Sequence, residues 1–262
     1  MGYSMECTDT ITKNNSYTHF ISLGYFCSVA MELERIGLRS SSSPFDWLIS
    51  DFTGVINVIS NHFKDFLDYD LLFQNHQYHQ IYRNIKYDLT FFHDFDKYRP
   101  LQKQLPAVTI KYNQRIERFY RNIKEPTLFI RYISDEKKDI FNQSVELLWI
   151  EDNIKYIKDL LQSFNPENDI LFIANMSVIS DKIKIYHVMQ DENDTVARMP
   201  LEKNEELSNL LNGFEYKQRS QNLAYYEKKR QSENSFAAKT QSFITRGTKK
   251  VFLREYIHNQ QY

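Results

Sequence analysis

Two continuous apolar runs constrain the fold of this chain more than any other feature of its sequence. Residues 127–133 read TLFIRYI and residues 169–174 read DILFIA, so each run is largely apolar on both faces apart from Arg131 and Asp169. Strands of this kind are typical of a parallel sheet that is covered by helices on both sides. A helical pattern over residues 143–164 lies between the two runs. The order strand–helix–strand predicts an α/β fold.

Further periodic segments extend this sheet. Residues 19–23 predict a first strand that ends at Gly24, and helical spacing begins at Cys27. Residues 87–92 predict a second strand, and residues 183–189 alternate as an edge strand would. We therefore expect an α/β domain with a central, largely parallel sheet of about five strands, flanked by helices.

The charge is distributed unevenly along the chain, which has 262 residues and a formal net charge of −1. Residues 217–254 carry ten Lys or Arg against two Glu, a local charge of +8, so the rest sums to −9. We predict a flexible lead over residues 1–17, one α/β domain of catalytic type over 18–214, and a basic C-terminal extension over 215–262. The basic clusters are short and match no nucleic-acid-reading motif, which favours a solvated tail or a helix lying on the acidic body.

The cysteine content and the hydropathy indicate a compartment. The chain has two cysteines, Cys7 and Cys27, which argues against an extracellular disulfide framework. It has no apolar run of about 18 residues, and its N-terminus lacks the apolar segment of a secretory signal. We expect a cytoplasmic protein with reduced thiols and no transmembrane segment, with export as an effector as the alternative.

Cys27 is the side chain best placed for chemistry. It follows the predicted first strand and the Gly24 turn, and it opens a helix. The free N–H groups and the positive end of that helix are expected to lower the pKa of the thiol and to hold an oxyanion. Cys27 would then be a nucleophile. The competing interpretation is that Cys27 is a small buried hydrophobic residue, as many cysteines are.

A thiolate nucleophile needs a base, and His93 stands where the predicted second strand ends. Because the carboxyl ends of parallel strands gather ligands at one edge of a sheet, we expect His93, Arg131 and Asn175 to lie near Cys27. The simpler alternatives are a core histidine bonded to a carbonyl group, and a buried ion pair between Arg131 and Asp94 or Asp46.

Several short motifs occur together over roughly residues 19–180. They are Ser22-Leu23-Gly24 followed by Cys27, Gly37-Leu38-Arg39, Ser43-Pro44-Phe45-Asp46-Trp47, Phe92-His93-Asp94-Phe95 and Leu128-Phe129-Ile130-Arg131-Tyr132. With these motifs the chain resembles a bacterial domain family of uncharacterised function that is described as papain-like cysteine peptidases. The resemblance implies a thiol-dependent hydrolase or acyl transferase with Cys27 as nucleophile and His93 as base, and it makes an α+β papain-like fold the alternative architecture.

The resemblance also implies a third side chain that orients the imidazole. If residues 91–96 were a strand, Asp94 would point away from the face of His93, which favours Asn175 or Asp96. Asn175 follows the histidine in the chain order of papain-like enzymes. Such a site needs no cofactor. The residues expected to supply oxyanion contacts or to shape the site are Ser22, Gly24, Arg131 and Asp46, the last accepting from Arg131 or from a backbone donor.

The pair Asp94 and Asp96 supports a competing interpretation. An Asp-x-Asp pair after a strand can bind Mg²⁺ or Mn²⁺ together with a sugar diphosphate, and Arg131 could hold a phosphate. This would be a glycosyltransferase-like enzyme. A third possibility is a binding module without catalysis. The sequence leaves open whether the substrate is a peptide, an acyl group or a glycan, and it leaves the oligomeric state open.

Overall fold

A computed structural model of the protein describes residues 16–189 and 200–239, with side chains up to residue 232. Strands and helices alternate along this part of the chain. In chain order they are β1 (His19–Ser22), α1 (Cys27–Arg35), β2 (Leu48–Ser50), α2 (Phe52–Ser60), β3 (Leu72–Gln74), β4 (Tyr82–Asn84), β5 (Leu89–Phe91), α3 (Leu101–Asn122), β6 (Thr127–Tyr132), α4 (Val145–Gln162), β7 (Asp169–Asn175), β8 (Ile185–Val188), α5 (Glu205–Gly213) and α6 (Arg219–Lys239).

The two apolar runs form the centre of a parallel sheet. They are β6 and β7, and the sheet has the order β1–β6–β7–β8 with every pairing parallel. All six residues of β6 are buried, as the continuous apolar run indicates. The edge strand predicted over residues 183–189 is β8, at the end of the sheet. The α/β prediction is confirmed.

The strand predicted over residues 87–92 does not belong to the parallel sheet. It is β5, which pairs antiparallel with β2 and with β4 in a second sheet of order β2–β5–β4–β3. Only residues 85–88 separate β4 from β5, which suffices for a hairpin but not for a parallel crossover. The parallel sheet therefore has four strands rather than about five. His93 follows β5, and it therefore does not stand at the carboxyl end of a strand of the parallel sheet.

Two hydrophobic clusters cover the two faces of the parallel sheet. Along β6, Phe129 belongs to one cluster while Leu128 and Ile130 belong to the other, as the alternation of side chains along a strand requires. The first cluster also contains residues of α2, α3, α4 and the second sheet. The second contains residues of α1 and α5. The second sheet and the helices before β6 and β7 thus lie on the same side of the parallel sheet.

The helix boundaries follow local signals. Asp51 caps α2, because its side chain accepts a bond from the Thr53 N–H. Part of the predicted basic extension is α6, which contacts α1 through Lys229 to Glu34 and the turn after α1 through Asn222 to the Gly37 carbonyl. Among the described helices, none combines the length and the hydropathy that crossing a bilayer requires. Residues 1–15, 190–199 and 240–262 lie outside the described part, and the three predicted segments stay a prediction.

Gly54 of α2 packs against the turn between β4 and β5. A Cβ atom at this position would lie 1.7 Å from the Tyr87 carbonyl oxygen, whereas one at Gly213, at the end of α5, would meet nothing within 4 Å. We predict that Gly54→Ala destabilises the protein by about 1–3 kcal/mol or more, because the helix must move away from this turn. Gly213→Ala is the matched control and should be neutral or stabilising by up to about 1 kcal/mol. Urea unfolding measures both, and equal effects would contradict this packing.

Candidate functional site

Arg131 is a fully buried charge where the two sheets meet. Its Nε and Nη2 donate to the two carboxylate oxygens of Glu146 at 2.9 and 2.6 Å. Nη1 donates to the Leu23 carbonyl and to Ser50 Oγ, and Nη2 also donates to the Ser50 carbonyl. These bonds use all five N–H donors of the guanidinium. The expectation of an ion pair with Asp94 or Asp46 is therefore wrong, and no donor is left for a phosphate or an oxyanion.

The turn after β1 fits tightly around this guanidinium. Gly24 has a φ of +85°, and a Cβ atom there would lie 2.3 Å from Ser50 Oγ and 2.9 Å from Arg131 Nη1. Only glycine lets the chain pass this closely in that conformation. Ser22 is buried, and its hydroxyl accepts a bond from the Gly24 N–H at 3.3 Å. Both residues therefore shape the turn that leads to Cys27.

Cys27 is the first residue of α1, as predicted. The residue before it, Phe26, makes no side-chain capping bond, and the first turn contains no acidic residue. Burial, together with a smaller effect of the Asp46 carboxylate, nevertheless raises the pKa of the thiol to about 12. The expectation of a low pKa is wrong, because the loss of solvation of a thiolate outweighs the effect of the helix end.

Asp46 is held by Arg39 and not by Arg131. Its Oδ2 accepts from Arg39 Nε and Nη2 at 3.0 and 2.7 Å, and from the Ser43 N–H at 2.8 Å. The expected backbone donor is thus confirmed, and the expected arginine partner is corrected. Arg39 also donates to Glu34 and lies over the Trp47 ring, 5.8 Å from its centroid. The motif Ser43–Trp47 is therefore a turn fixed by a buried carboxylate.

His93 is an exposed residue in the loop after β5. Its imidazole contacts the Trp47 ring edge-on, with 6.3 Å between the centroids, and also contacts the Phe92 ring. The Ser43–Trp47 turn thus interacts with both predicted catalytic residues, since Trp47 contacts His93 and the Asp46 carboxylate contributes to the raised pKa of Cys27.

Asn175 lies at the carboxyl end of β7 and is buried. Its Oδ1 accepts from the Tyr132 hydroxyl at 2.8 Å. One strand, β6, separates β7 from β1, which corresponds to about 10 Å across the sheet from the strand leading to Cys27. Its role as the group that orients His93 stays a prediction.

The carboxylates of Asp94 and Asp96 have separate partners. Asp94 binds Lys111 and accepts from the Tyr112 hydroxyl, both on α3, and Asp96 accepts from the Tyr98 N–H in its own loop. Over residues 16–189 and 200–239, no group of three or more His, Cys, Asp or Glu residues could hold a metal ion. These contacts give the metal-dependent transferase interpretation no support.

Two residues of this region were not identified from the sequence as partners. Glu146, in the first turn of α4 and two residues after its cap Ser144, neutralises Arg131. A buried arginine in an apolar strand requires a carboxylate, and an acidic residue at the start of the next helix was the available signal. Arg39 neutralises Asp46. It belongs to the motif Gly37-Leu38-Arg39, but the sequence does not indicate that Asp46 is its partner.

We predict that Glu146→Gln destabilises the protein by about 3–5 kcal/mol, because it leaves the buried Arg131 charge without a counter-ion. Urea unfolding gives the change in the free energy of unfolding. Glu206→Gln is the control, since Glu206 pairs with Lys184 at the surface and such pairs contribute less than about 1 kcal/mol. Similar losses in both variants would contradict the importance of the buried pair.

We predict that Cys27 reacts slowly with iodoacetamide at neutral pH. With a pKa of about 12, its thiolate fraction is roughly a thousandth of that of an unstructured thiol. The rate should still be rising steeply at pH 10, where an unstructured thiol is almost fully ionised, and unfolding in urea should remove the difference. Peptide mapping by mass spectrometry separates Cys27 from Cys7. Labelling at pH 7 as fast as that of an unstructured thiol would contradict the raised pKa.

Comparisons with known proteins give the family of the chain. The chain is 30% identical over 185 residues to an uncharacterised protein of Acanthamoeba polyphaga mimivirus. The matched region covers 61% of this chain and 79% of the viral protein. This relative is viral, so it does not show the bacterial origin suggested by the resemblance. No solved structure matches the chain. Residues 18–164, more than half of the chain, match one family model, and the chain therefore belongs to the family described as "Putative papain-like cysteine peptidase (DUF1796)".

Proposed function

We propose that the protein is a thiol-dependent hydrolase or acyl transferase in which Cys27 is the nucleophile and His93 is the base. The observation that carries this proposal is the Ser43–Trp47 turn, whose Trp47 ring contacts the imidazole of His93 and whose Asp46 carboxylate contributes to the raised pKa of Cys27. The description of the family supports the same class of reaction. The proposal requires a reduced thiol, which fits a cytoplasmic location.

The raised pKa determines how such a thiol would react. At neutral pH Cys27 carries its proton, so attack on a carbonyl carbon requires transfer of that proton from Sγ to the imidazole as the S–C bond forms. The imidazolium then returns the proton to the leaving group, and a thioester remains on Cys27. Water or a second nucleophile then breaks this thioester. Cys27 would thus be activated by a base, as a serine is, and not as a preformed ion pair.

The start of α1 supplies groups for the developing oxyanion. The N-cap residue Phe26 makes no side-chain capping bond to the first N–H groups of this helix, and no acidic residue lies in its first turn. These N–H groups lie next to Cys27 in the chain and are the donors that a negative oxygen would need. Since Arg131 has no free donor, we assign the oxyanion contacts to this helix end rather than to the guanidinium.

We expect p-nitrophenyl acetate to acylate Cys27, with a burst of p-nitrophenolate and an acetyl group found on the Cys27 peptide by mass spectrometry. Cys27→Ala should abolish the burst. His93→Ala should slow the acylation by about 10²–10⁴-fold, the range expected for loss of a general base.

His79→Ala is the matched control, because His79 lies in the exposed loop between β3 and β4. It should acylate at the rate of the unchanged protein. Circular dichroism verifies that all variants are folded. The proposal fails if the burst survives in Cys27→Ala, or if His93→Ala acylates as fast as His79→Ala.

A further inference from the structure

The basic helix α6 is seated closely on the turn after α1. Asn222 Nδ2 donates to the Gly37 carbonyl at 3.0 Å. A Cβ atom at Gly37 would lie 2.8 Å from the Leu223 side chain and 2.9 Å from the Arg219 carbonyl oxygen, so the helix touches the backbone of this turn. The thiol reaction as proposed assigns no role to this helix, although its contacts lead toward the residues of that reaction.

Four alternating charges form a line from α6 to the Ser43–Trp47 turn. Lys229 Nζ lies 2.6 Å from Glu34 Oε1, and Arg39 Nη1 lies 2.7 Å from Glu34 Oε2. Arg39 in turn donates to Asp46 through Nε and Nη2. The three inner side chains of this line of charges are at most 9% exposed, whereas that of Lys229 is 37% exposed. Lys229 is therefore the end of the line that faces solvent.

Charge balance explains why Lys229 matters at the other end of this line. With Lys229 in place, two cations balance two carboxylates, and Arg115 on α3 also acts on Asp46. Without Lys229, the buried Glu34 carboxylate would have Arg39 as its one cation, which is unfavourable for a group removed from water. Glu34 would then draw the guanidinium toward itself and away from Asp46.

Arg39 also connects the line of charges to the proposed base. Its guanidinium carbon lies 5.8 Å from the centroid of the Trp47 ring, and that ring contacts the His93 imidazole edge-on. The same guanidinium donates to Ser42 Oγ at 2.9 Å, just before the turn. A displacement of the guanidinium would therefore move the ring against which the imidazole lies.

We propose that Lys229 is a positioning residue for the His93 imidazole. It acts through Glu34 and Arg39, which together place the Ser43–Trp47 turn. This inference rests on the proposed function, since the position of His93 matters for catalysis only if His93 is the base. It gives the basic helix a role within the domain, because the site is fully formed only when α6 is docked on α1.

The acylation of Cys27 by p-nitrophenyl acetate tests this role in the full chain. Lys229→Met should slow the acylation about 10–10²-fold, the loss expected when a catalytic group is displaced by about 1 Å. Lys229→Arg keeps the charge and should restore most of the rate. Lys228→Met is the matched control, because Lys228 is the adjacent exposed lysine and forms no ion pair within the described residues. Equal rates in Lys229→Met and Lys228→Met would overturn the proposal.

A double-mutant cycle shows whether Lys229 acts through Glu34. In a Glu34→Gln background the carboxylate that Lys229 binds is absent, so adding Lys229→Met should change the acylation rate by less than about twofold. An effect of Lys229→Met that is the same in both backgrounds would contradict the line of charges. Circular dichroism confirms that each variant is folded.

Trp47 provides a readout that needs no reaction. In a Trp149→Phe background Trp47 is the one remaining tryptophan, and a protonated imidazole in contact with an indole quenches its fluorescence. The fluorescence should rise with pH as the imidazole loses its proton, and His93→Gln should abolish this rise. Lys229→Met should remove most of the rise, whereas Lys228→Met should leave it unchanged. An unchanged rise in Lys229→Met would overturn the positioning role.

These measurements separate failure of this inference from failure of the thiol reaction. If the unchanged protein shows no acylation burst but Lys229→Met loses the fluorescence rise, the thiol reaction is wrong and Lys229 still positions the imidazole. If the burst is present and Lys229→Met keeps both its rate and the fluorescence rise, the thiol reaction stands and the role of Lys229 is refuted.

Discussion

The buried pair of Arg131 and Glu146 is the interaction on which the arrangement of the two sheets depends. Its guanidinium joins the end of β1 through the Leu23 carbonyl, the end of β2 through Ser50, and the start of α4 through Glu146. A charge in this position is tolerated only if each of its hydrogens has a partner, and all five do. Because the five acceptors lie on three separate elements, a shift of any one of them would leave a buried donor or a buried carboxylate unpaired. The pair therefore fixes where the second sheet attaches to the parallel sheet.

This pair also decides which groups at the carboxyl edge remain for chemistry. In many α/β proteins an arginine at the end of a strand binds an anionic ligand. Arg131 cannot do this without giving up a bond to Glu146, Leu23 or Ser50. In the proposed reaction, the positive potential for an oxyanion would come from the start of α1, where Phe26 makes no side-chain capping bond.

The sequence alone predicts those parts of the fold that local patterns determine. The runs over residues 127–133 and 169–174 form β6 and β7 because a buried parallel strand needs apolar side chains on both faces. The strand over residues 87–92 was also predicted, but the position of β5 was not. A strand of three residues does not specify its partners, and those of β5 are determined by the short turn at residues 85–88. The partners of Arg131 and Asp46 depended on tertiary contacts, and so did the pKa of Cys27, because burial of the thiol is a property of the folded chain.

Loss of solvation acts on both Cys27 and Glu136, with different chemical results. For Cys27 it moves the pKa away from neutrality, to about 12, so the thiol becomes a nucleophile only when a base accepts its proton. For Glu136 the loss of solvation moves the pKa toward neutrality, to about 7, so a nearby charge of either sign can change whether its carboxyl group is ionised. Tyr25 and Glu136 line the same pocket, and Tyr25 is separated from Cys27 only by Phe26. Since the Gly24 turn is fixed by Arg131 and Ser50, the start of α1 and its Cys27 thiol are positioned by the same buried contacts that join the two sheets.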